Sequence, residues 1–213
     1  MKIPVIENIM KVNDNLAEEN RALLKSHNVF TINILASPGA GKTSTILALD
    51  QHLRPDYTMG VIEGDIASQI DSEAIAKKGI DVLQINTGGA CHLDANMIKM
   101  SLPQMPLDKI DFLFIENVGN LVCPSGFKLG EDLKMLISSV PEGADKPYKY
   151  TSMFKAVDVI VLNKIDIMPY FNFDRKVFYD GLKSINPNAP VFEISATTGE
   201  GVAELVNWLK KKK

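Results

Sequence analysis

An apolar, β-favouring run at residues 30–35 (FTINIL) passes directly into Ala36-Ser37-Pro38-Gly39-Ala40-Gly41-Lys42-Thr43-Ser44 and then into a helix-forming segment, residues 45–53. Strand, glycine loop and helix in that order form a phosphate cradle. Gly39 and Gly41 lack a β-carbon, so consecutive backbone N–H groups can converge on phosphate oxygens at the start of the helix, while Lys42 adds a point charge and Thr43 a hydroxyl suited to Mg2+. The pattern GxxxxGK[ST] is met except at its first glycine, where Ala36 stands at the close of the strand, a position that tolerates a β-carbon. The candidate phosphate-binding set is Ser37, Pro38, Gly39, Ala40, Gly41, Lys42, Thr43 and Ser44.

A second constellation addresses a base. Residues 157–162 read as a buried strand, and Asn163-Lys164-Ile165-Asp166 follows it at the edge where open α/β sheets bind ligands. The Asp166 carboxylate can accept from both the ring N–H and the exocyclic amine of guanine, a pair that adenine does not present. A site built around such a pair rejects the wrong base because a buried polar group goes unmatched. Ser195-Ala196-Thr197, after a strand at residues 191–194, can present a backbone N–H to the guanine carbonyl. Alone, an Asn-Lys-Ile-Asp turn could as well cap a helix; behind a phosphate loop and in this order, the two motifs point to GTP and GDP.

Further strands are expected at residues 58–63, 81–85, 111–115 and 134–138, mostly separated by helical patterns. That alternation predicts an α/β fold, a largely parallel P-loop NTPase sheet with helices on both faces. Residues 5–25 read as a charged amphipathic helix ahead of the core, its apolar stripe formed by Ile6, Ile9, Met10, Leu16, Leu23 and Leu24. The chain thus divides into an N-terminal helix, residues 1–28, and a P-loop GTPase domain, residues 29–213. Residues 140–151, with two prolines and a Gly-Ala-Asp turn, read as a loop.

With 213 residues, 46% of them hydrophobic, the chain can bury one substantial core. No run of ~18 apolar residues and no basic-then-apolar leader occurs, so neither a membrane span nor a signal peptide is expected and the cytoplasm is the default. A net charge of −3 argues against nonspecific nucleic-acid binding, and Lys210 to Lys213 read as complementing the C-terminal dipole of a last helix. Cys91 and Cys123 do not suggest a disulfide scaffold in a chain that needs GTP and a reducing compartment; they are free thiols or ligands.

Three acidic positions follow strands near the nucleotide: Asp65, Asp71 and Glu116. Mg2+ takes one or two carboxylates besides the substrate phosphates, so some of the three are expected at the ion, although Asp71 could instead cap a helix. Glu116 opens Glu116-Asn117-Val118-Gly119, in which Gly119 can bring its N–H to a γ-phosphate, the layout of a switch loop. Lys42, Thr43, Asp65, Asp71, Glu116 and Gly119 are the residues expected to serve hydrolysis. Soft ligands lie in the same region. Cys91 and His92 are adjacent, and Cys123 stands a few residues past Gly119; thiolate plus imidazole suits Zn2+, Ni2+ or Cu rather than Mg2+. Three such ligands fall short of a closed four-coordinate site, which two chains about a two-fold axis could complete. A plainer alternative makes Cys91 a small core residue and His92 a loop donor.

These residues closely resemble the hydrogenase nickel-incorporation GTPases, the HypB family, from about Val5 to the end of the chain. The resemblance is carried by residues 13–24 (NDNLAEENRALL), 37–43, Gly64-Asp65-Ile66-Ala67, Asn86-Thr87-Gly88 leading to Cys91-His92-Leu93-Asp94-Ala95, residues 114–124 (FIENVGNLVCP) and 163–166, of which FIENVGNLVCP is the most specific. It implies a SIMIBI-type GTPase and a homodimeric metallochaperone that helps deliver Ni2+ to the large subunit of [NiFe] hydrogenase, alongside a second nickel-handling maturation protein. It further implies that Cys91, His92 and Cys123 bind Ni2+ or Zn2+ at the subunit interface and that Asp166 selects guanine. Two departures matter. No cluster of cysteines or histidine-rich tract precedes Phe30, so metal handling is expected to rest on the GTPase-domain site. The similar urease accessory GTPases use Cys-Pro-His where this chain has Cys91 directly before His92, which favours hydrogenase maturation over urease.

Cys123 belongs to the loop that Glu116 opens, so a nucleotide that fixes the loop changes where the thiolate points; linkage then requires Ni2+ affinity to differ between GTP and GDP states whenever metal alters nucleotide affinity. Hydrolysis is expected to be slow without a partner, since none of Arg21, Arg54 and Arg175 is placed as a finger. An apolar run after the base motif, Ile167, Met168, Tyr170, Phe171 and Phe173, reads either as a subunit contact or as packing onto the sheet. Two other functions compete. A nucleotide or small-molecule kinase would need an arginine-bearing lid, and a metal-free GTP switch would leave both cysteines incidental.

Overall fold

The computed structural model describes residues 9–65 and 70–213. Seven strands, β1 (Phe30–Ala36), β2 (Met59–Asp65), β3 (Asp81–Asn86), β4 (Phe112–Glu116), β5 (Leu133–Ser139), β6 (Val159–Asn163) and β7 (Val191–Glu193), form one parallel sheet in the order β3-β2-β4-β1-β5-β6-β7. The helices are α1 (Ile9–Ser26), α2 (Lys42–Leu53), α3 (Ile70–Ala76), α4 (Ala95–Ser101), α5 (Lys146–Lys149), α6 (Thr151–Lys155), α7 (Arg175–Ile185) and α8 (Val202–Lys210).

Consecutive residues of a strand point to opposite faces, and here both faces are covered, which is why the central strands are largely apolar and almost wholly buried. On one face Ile32, Ile34, Phe112 and Phe114 pack with Ile46 and Leu49 of α2, Ile75 of α3 and Leu205 and Leu209 of α8. On the other, Leu113 and Ile115 meet Leu24 of α1 and Ile98 of α4, while Leu35, Leu136 and Ile160 meet Phe154 of α6 and Phe178 and Leu182 of α7. Each such fully buried side chain contributes roughly 1.5–3 kcal/mol of transfer free energy.

Aspartates close the sheet's lower edge. Asp111, Asp132 and Asp158, each just before a strand, accept from the backbone N–H of Thr58 (2.9 Å), Thr31 (2.9 Å) and Lys134 (2.7 Å) of the neighbouring strand. The opposite edge, where the strands end, carries the phosphate loop and is left for ligands.

Two expectations need correction, and a third, the lysines at the end of α8, needs extending. The buried stripe of α1 is Asn13, Ala17, Asn20 and Leu24, whereas Met10 and Leu23 face solvent. Val5 to Asn8 and the Ile9 side chain lie outside the described residues. The asparagines are buried because they serve backbone. Asn13 Nδ2 donates to Lys128 O (2.8 Å) and its Oδ1 accepts from Ala95 N (2.9 Å), while Asn20 Nδ2 donates to Ala95 O (2.8 Å) and Leu129 O (2.9 Å). Residues 140–151 are not one loop: a short 3-10 turn (Val140–Glu142) and α5 occupy them, started by a capping box in which Ser139 and Glu142 satisfy one another's backbone N–H groups. The terminal lysines reach other elements rather than simply facing a dipole, Lys210 Nζ to Asp56 (2.6 Å) and Lys213 Nζ to the carbonyls of Asn28 and Asp111 (3.0 Å each). No described helix is long and apolar enough to cross a membrane.

Candidate functional site

The phosphate loop turns between β1 and α2. Gly41 sits at φ 97°, in the left-handed region, and a β-carbon there would lie 2.5 Å from Asn163 Nδ2, so only glycine lets the loop pass so close to the end of β6. Asn163 is buried and acts as a hub: its Nδ2 donates to Ala40 O (3.0 Å), and its Oδ1 accepts from the backbone of Lys164 (2.8 Å) and Ala196 (3.1 Å). Lys164, itself at φ 66°, donates from Nζ to Gly39 O (2.6 Å). The phosphate loop and both base motifs are thereby held in one frame.

Asp166 is half-buried at the start of a 3-10 turn and makes no side-chain hydrogen bond to the described residues. In the Ser195-Ala196-Thr197 turn the Ser195 N–H goes to Glu200 O (2.9 Å) and the Ala196 N–H to Asn163, so Thr197 is the exposed member of the three. Ser37, expected only as a phosphate donor, hydrogen-bonds Glu142, which ties the loop to the end of β5.

Acidic groups gather at the ends of β2 and β4. Glu116 Oε1 accepts from Thr43 Oγ1 (2.9 Å), and the strand register sets Glu63 directly opposite Glu116. Glu63, Asp65 and Asp71 offer oxygens within 4.8 Å of one another, the only such group of three His, Cys, Asp or Glu donors among the described residues. Burial, and then the neighbouring carboxylates Glu116, Asp65 and Asp71, push Glu63 up to about 8. Glu116 is raised by burial to about 7, with Lys42 and the Thr43 hydroxyl pulling the other way. One oxygen of each, Glu63 Oε2 and Glu116 Oε2, is buried without a hydrogen-bond partner. Hard carboxylate oxygens lacking donors beside a threonine hydroxyl fit Mg2+.

These carboxylates share a cleft of about 260 Å3 with Pro38, Gly39, Lys42 and Gly119. At Gly119 a β-carbon would come within 2.9 Å of Pro38 N, so the loop after β4 lies directly against the phosphate loop. Ile66 and Ala67 lie outside the described residues. Glu63 escaped sequence reasoning. Its signal was present: a carboxylate in a buried strand, two residues before Asp65, hence on the same face.

Cys91, His92 and Cys123 come together on the other side of that loop. Cys91 Sγ lies 3.5 Å from His92 Nδ1, and the Cys91 thiol is raised chiefly by its hydrogen bond with the Cys123 thiol. Both cysteines are free. Burial lowers His92, whose ring meets that of Phe127 at a tilt of 41° with centroids 4.0 Å apart. Asn120 bridges the two segments, Nδ2 donating to Cys91 O (3.3 Å) and Oδ1 accepting from Val122 N (2.8 Å) and Cys123 N (3.4 Å). Cys91 is exposed rather than a core residue, which removes the plainer alternative for it. The apolar run after Asp166 divides: Met168 and Phe173 pack on the core, whereas Tyr170 and Phe171 are 83% and 45% exposed.

Phosphate cradle, paired carboxylates and base turn together define a P-loop nucleotide-binding α/β protein, and the chain matches the family model "CobW/HypB/UreG, nucleotide-binding domain" over residues 30–193. It is 43% identical over 205 residues to the hydrogenase maturation factor HypB of Escherichia coli (strain K12), covering 96% of this chain and 71% of that protein. The chain belongs to the HypB family of hydrogenase maturation factors. Its fold is similar to that of HypB from Helicobacter pylori in complex with nickel (TM-score 0.90, 36% identity, 95% of each chain). It is also similar to hydrogenase maturation factor HypB from Archaeoglobus fulgidus (TM-score 0.87, 36% identity, 94% of this chain and 98% of that one).

Proposed function

We propose that this chain is a GTP-hydrolysing nickel metallochaperone that assists Ni2+ insertion into [NiFe] hydrogenase. The observation that carries the reading is spatial: the thiol and imidazole groups of Cys91, His92 and Cys123 gather at the loop whose residues Glu116, Val118 and Gly119 line the phosphate cleft. The nickel complex of the Helicobacter pylori relative supports it.

In this reading Asp166 accepts from guanine and excludes adenine, and Lys42 and the N–H groups at the start of α2 hold the phosphates. Thr43, Asp65, Asp71 and Glu116 would hold Mg2+, with Glu63 beside them; the ion supplies charge neutralisation at the phosphates. Gly119, placed against Pro38, is positioned to meet a γ-phosphate, which orders the loop that leads to Cys123. Ni2+, or Zn2+ in competition, is the cargo of Cys91, His92 and Cys123, and a second copy of the chain completes the coordination. A nickel-handling maturation protein and the hydrogenase large subunit are the partners this role requires.

The test is metal counting and light scattering on the intact chain with a GTP analogue, GDP and Ni2+ in turn. Expected is a dimer with GTP analogue and Ni2+, metal lost in Cys91→Ala and Cys123→Ala, and nucleotide binding kept in both. Undiminished nickel stoichiometry in those variants refutes the assignment.

A further inference from the structure

The chain from Glu116 to Cys123 is not the only link between the cleft and the thiols. Asn117, next to Glu116 and 1% exposed, turns its Oδ1 to accept from the backbone N–H of Leu93 (3.0 Å) as well as from Val118 N (3.0 Å). Its Nδ2 donates to Asn33 Oδ1 (3.3 Å) on β1, so the orientation of the amide is set from both ends. Its own N–H donates to Ile34 O (3.1 Å), which fixes its backbone to the strand that leads into the phosphate loop.

Leu93 directly follows Cys91 and His92. Its fully buried side chain wedges against Gly64, where a β-carbon would lie 2.7 Å from Leu93 Cγ, and Gly64 stands between Glu63 and Asp65. Leu93 is therefore held on its backbone by the residue after Glu116 and on its side chain by the strand that presents the other carboxylates. A packed, hydrogen-bonded wedge of this kind transmits displacement because neither the core nor a buried amide absorbs it cheaply.

We infer that Asn117 is a positioning residue which, through the Leu93 N–H, makes the placement of the Cys91-His92 turn follow the nucleotide-dependent position of the loop that starts after β4. The inference rests on the reading of Cys91 and His92 as ligands, and it deepens that reading by naming a path independent of the loop to Cys123. Truncation of Asn117 frees Leu93 N–H from β4 while leaving both thiols and the imidazole in the chain.

The experiment measures Ni2+ affinity, by competition with a chromophoric chelator, for the unaltered chain, Asn117→Ala and Cys91→Ala, each in GDP and in a non-hydrolysable GTP analogue. In the unaltered chain the two affinities should differ at least about fivefold, within the usual span of coupled sites. Asn117→Ala should bind nickel at unchanged stoichiometry with the ratio reduced below about twofold, an effect that a general loss of stability would not produce. Should Asn117→Ala not fold, as judged by its thermal transition, Asn117→Ser serves: its hydroxyl is one bond too short to reach Leu93. A ratio undiminished in the folded variant overturns the inference and leaves the metal assignment standing. Equal nickel affinity in both nucleotide states of the unaltered chain overturns the inference alone, whereas nickel bound as well by Cys91→Ala overturns the assignment and the inference with it.

Discussion

Glu63 and Glu116 oppose one another across β2 and β4, and that pairing gives the cleft a pH dependence. An unfolded chain ionises both in the ordinary carboxylate range, whereas the folded protein holds its proton on Glu63 up to about 8 and on Glu116 up to about 7. The unfolded state thus loses protons first, so stability without nucleotide is full below the ordinary carboxylate value of 4.5 and falls as pH rises from there to about 8. Glu63→Gln keeps the shape and removes the charge. Its thermal transition should exceed that of the unaltered chain at about pH 8 and match it below about pH 4.5; a constant offset across that range would contradict the assignment. Mg2+ with GTP should stabilise the unaltered chain most at the alkaline end, because the ion rewards the charged carboxylates that burial disfavours. Lys42, Thr43 and Asp166 could be proposed from local sequence because phosphate and base motifs are short; Glu63 could not, because its partner Glu116 lies on another strand.

At the scale of elements, α1 shows how a hydropathy stripe misleads. Its apolar residues Met10 and Leu23 are exposed, while Asn13 and Asn20 are buried as clamps on the backbone at Ala95, Lys128 and Leu129. Asn20→Ala removes two buried hydrogen bonds, to the carbonyls of Ala95 and Leu129, which should cost about 2 kcal/mol, or about 4–8 °C in the thermal transition. Leu23→Ala should shift it by under about 0.5 kcal/mol. Equal effects of the two would mean the stripe, not the clamps, seats the helix. Strand ends were also read short: β2 runs to Asp65 and β4 to Glu116, since polar terminal residues look like loop to a hydropathy pattern but remain in register with their neighbours.

For the whole molecule, the proposed second copy has a candidate surface in the apolar run after Asp166. Met168 and Phe173 have partners in the core, whereas Tyr170 and Phe171 do not bury their rings and Ile167 is only half-buried. A contact surface that spends so little of the core should be separable from folding. Ile167→Ala with Phe171→Ala is expected to give a monomer by light scattering, with GTP binding and the thermal transition near those of the unaltered chain. A dimer that persists would exclude this patch.

By itself the amino-acid order determined the parallel α/β architecture, the glycine loop between strand and helix and the turn after β6, because each is specified by neighbours a few residues apart: glycine freedom, a buried apolar run, a carboxylate after a strand. Only the tertiary structure decided that Glu63 faces Glu116, that Asn163 ties the phosphate loop to both base motifs, and that Asn117 reaches Leu93. Those pairings join residues far apart in the chain, and strand register and core packing, not local preference, bring them within hydrogen-bonding distance.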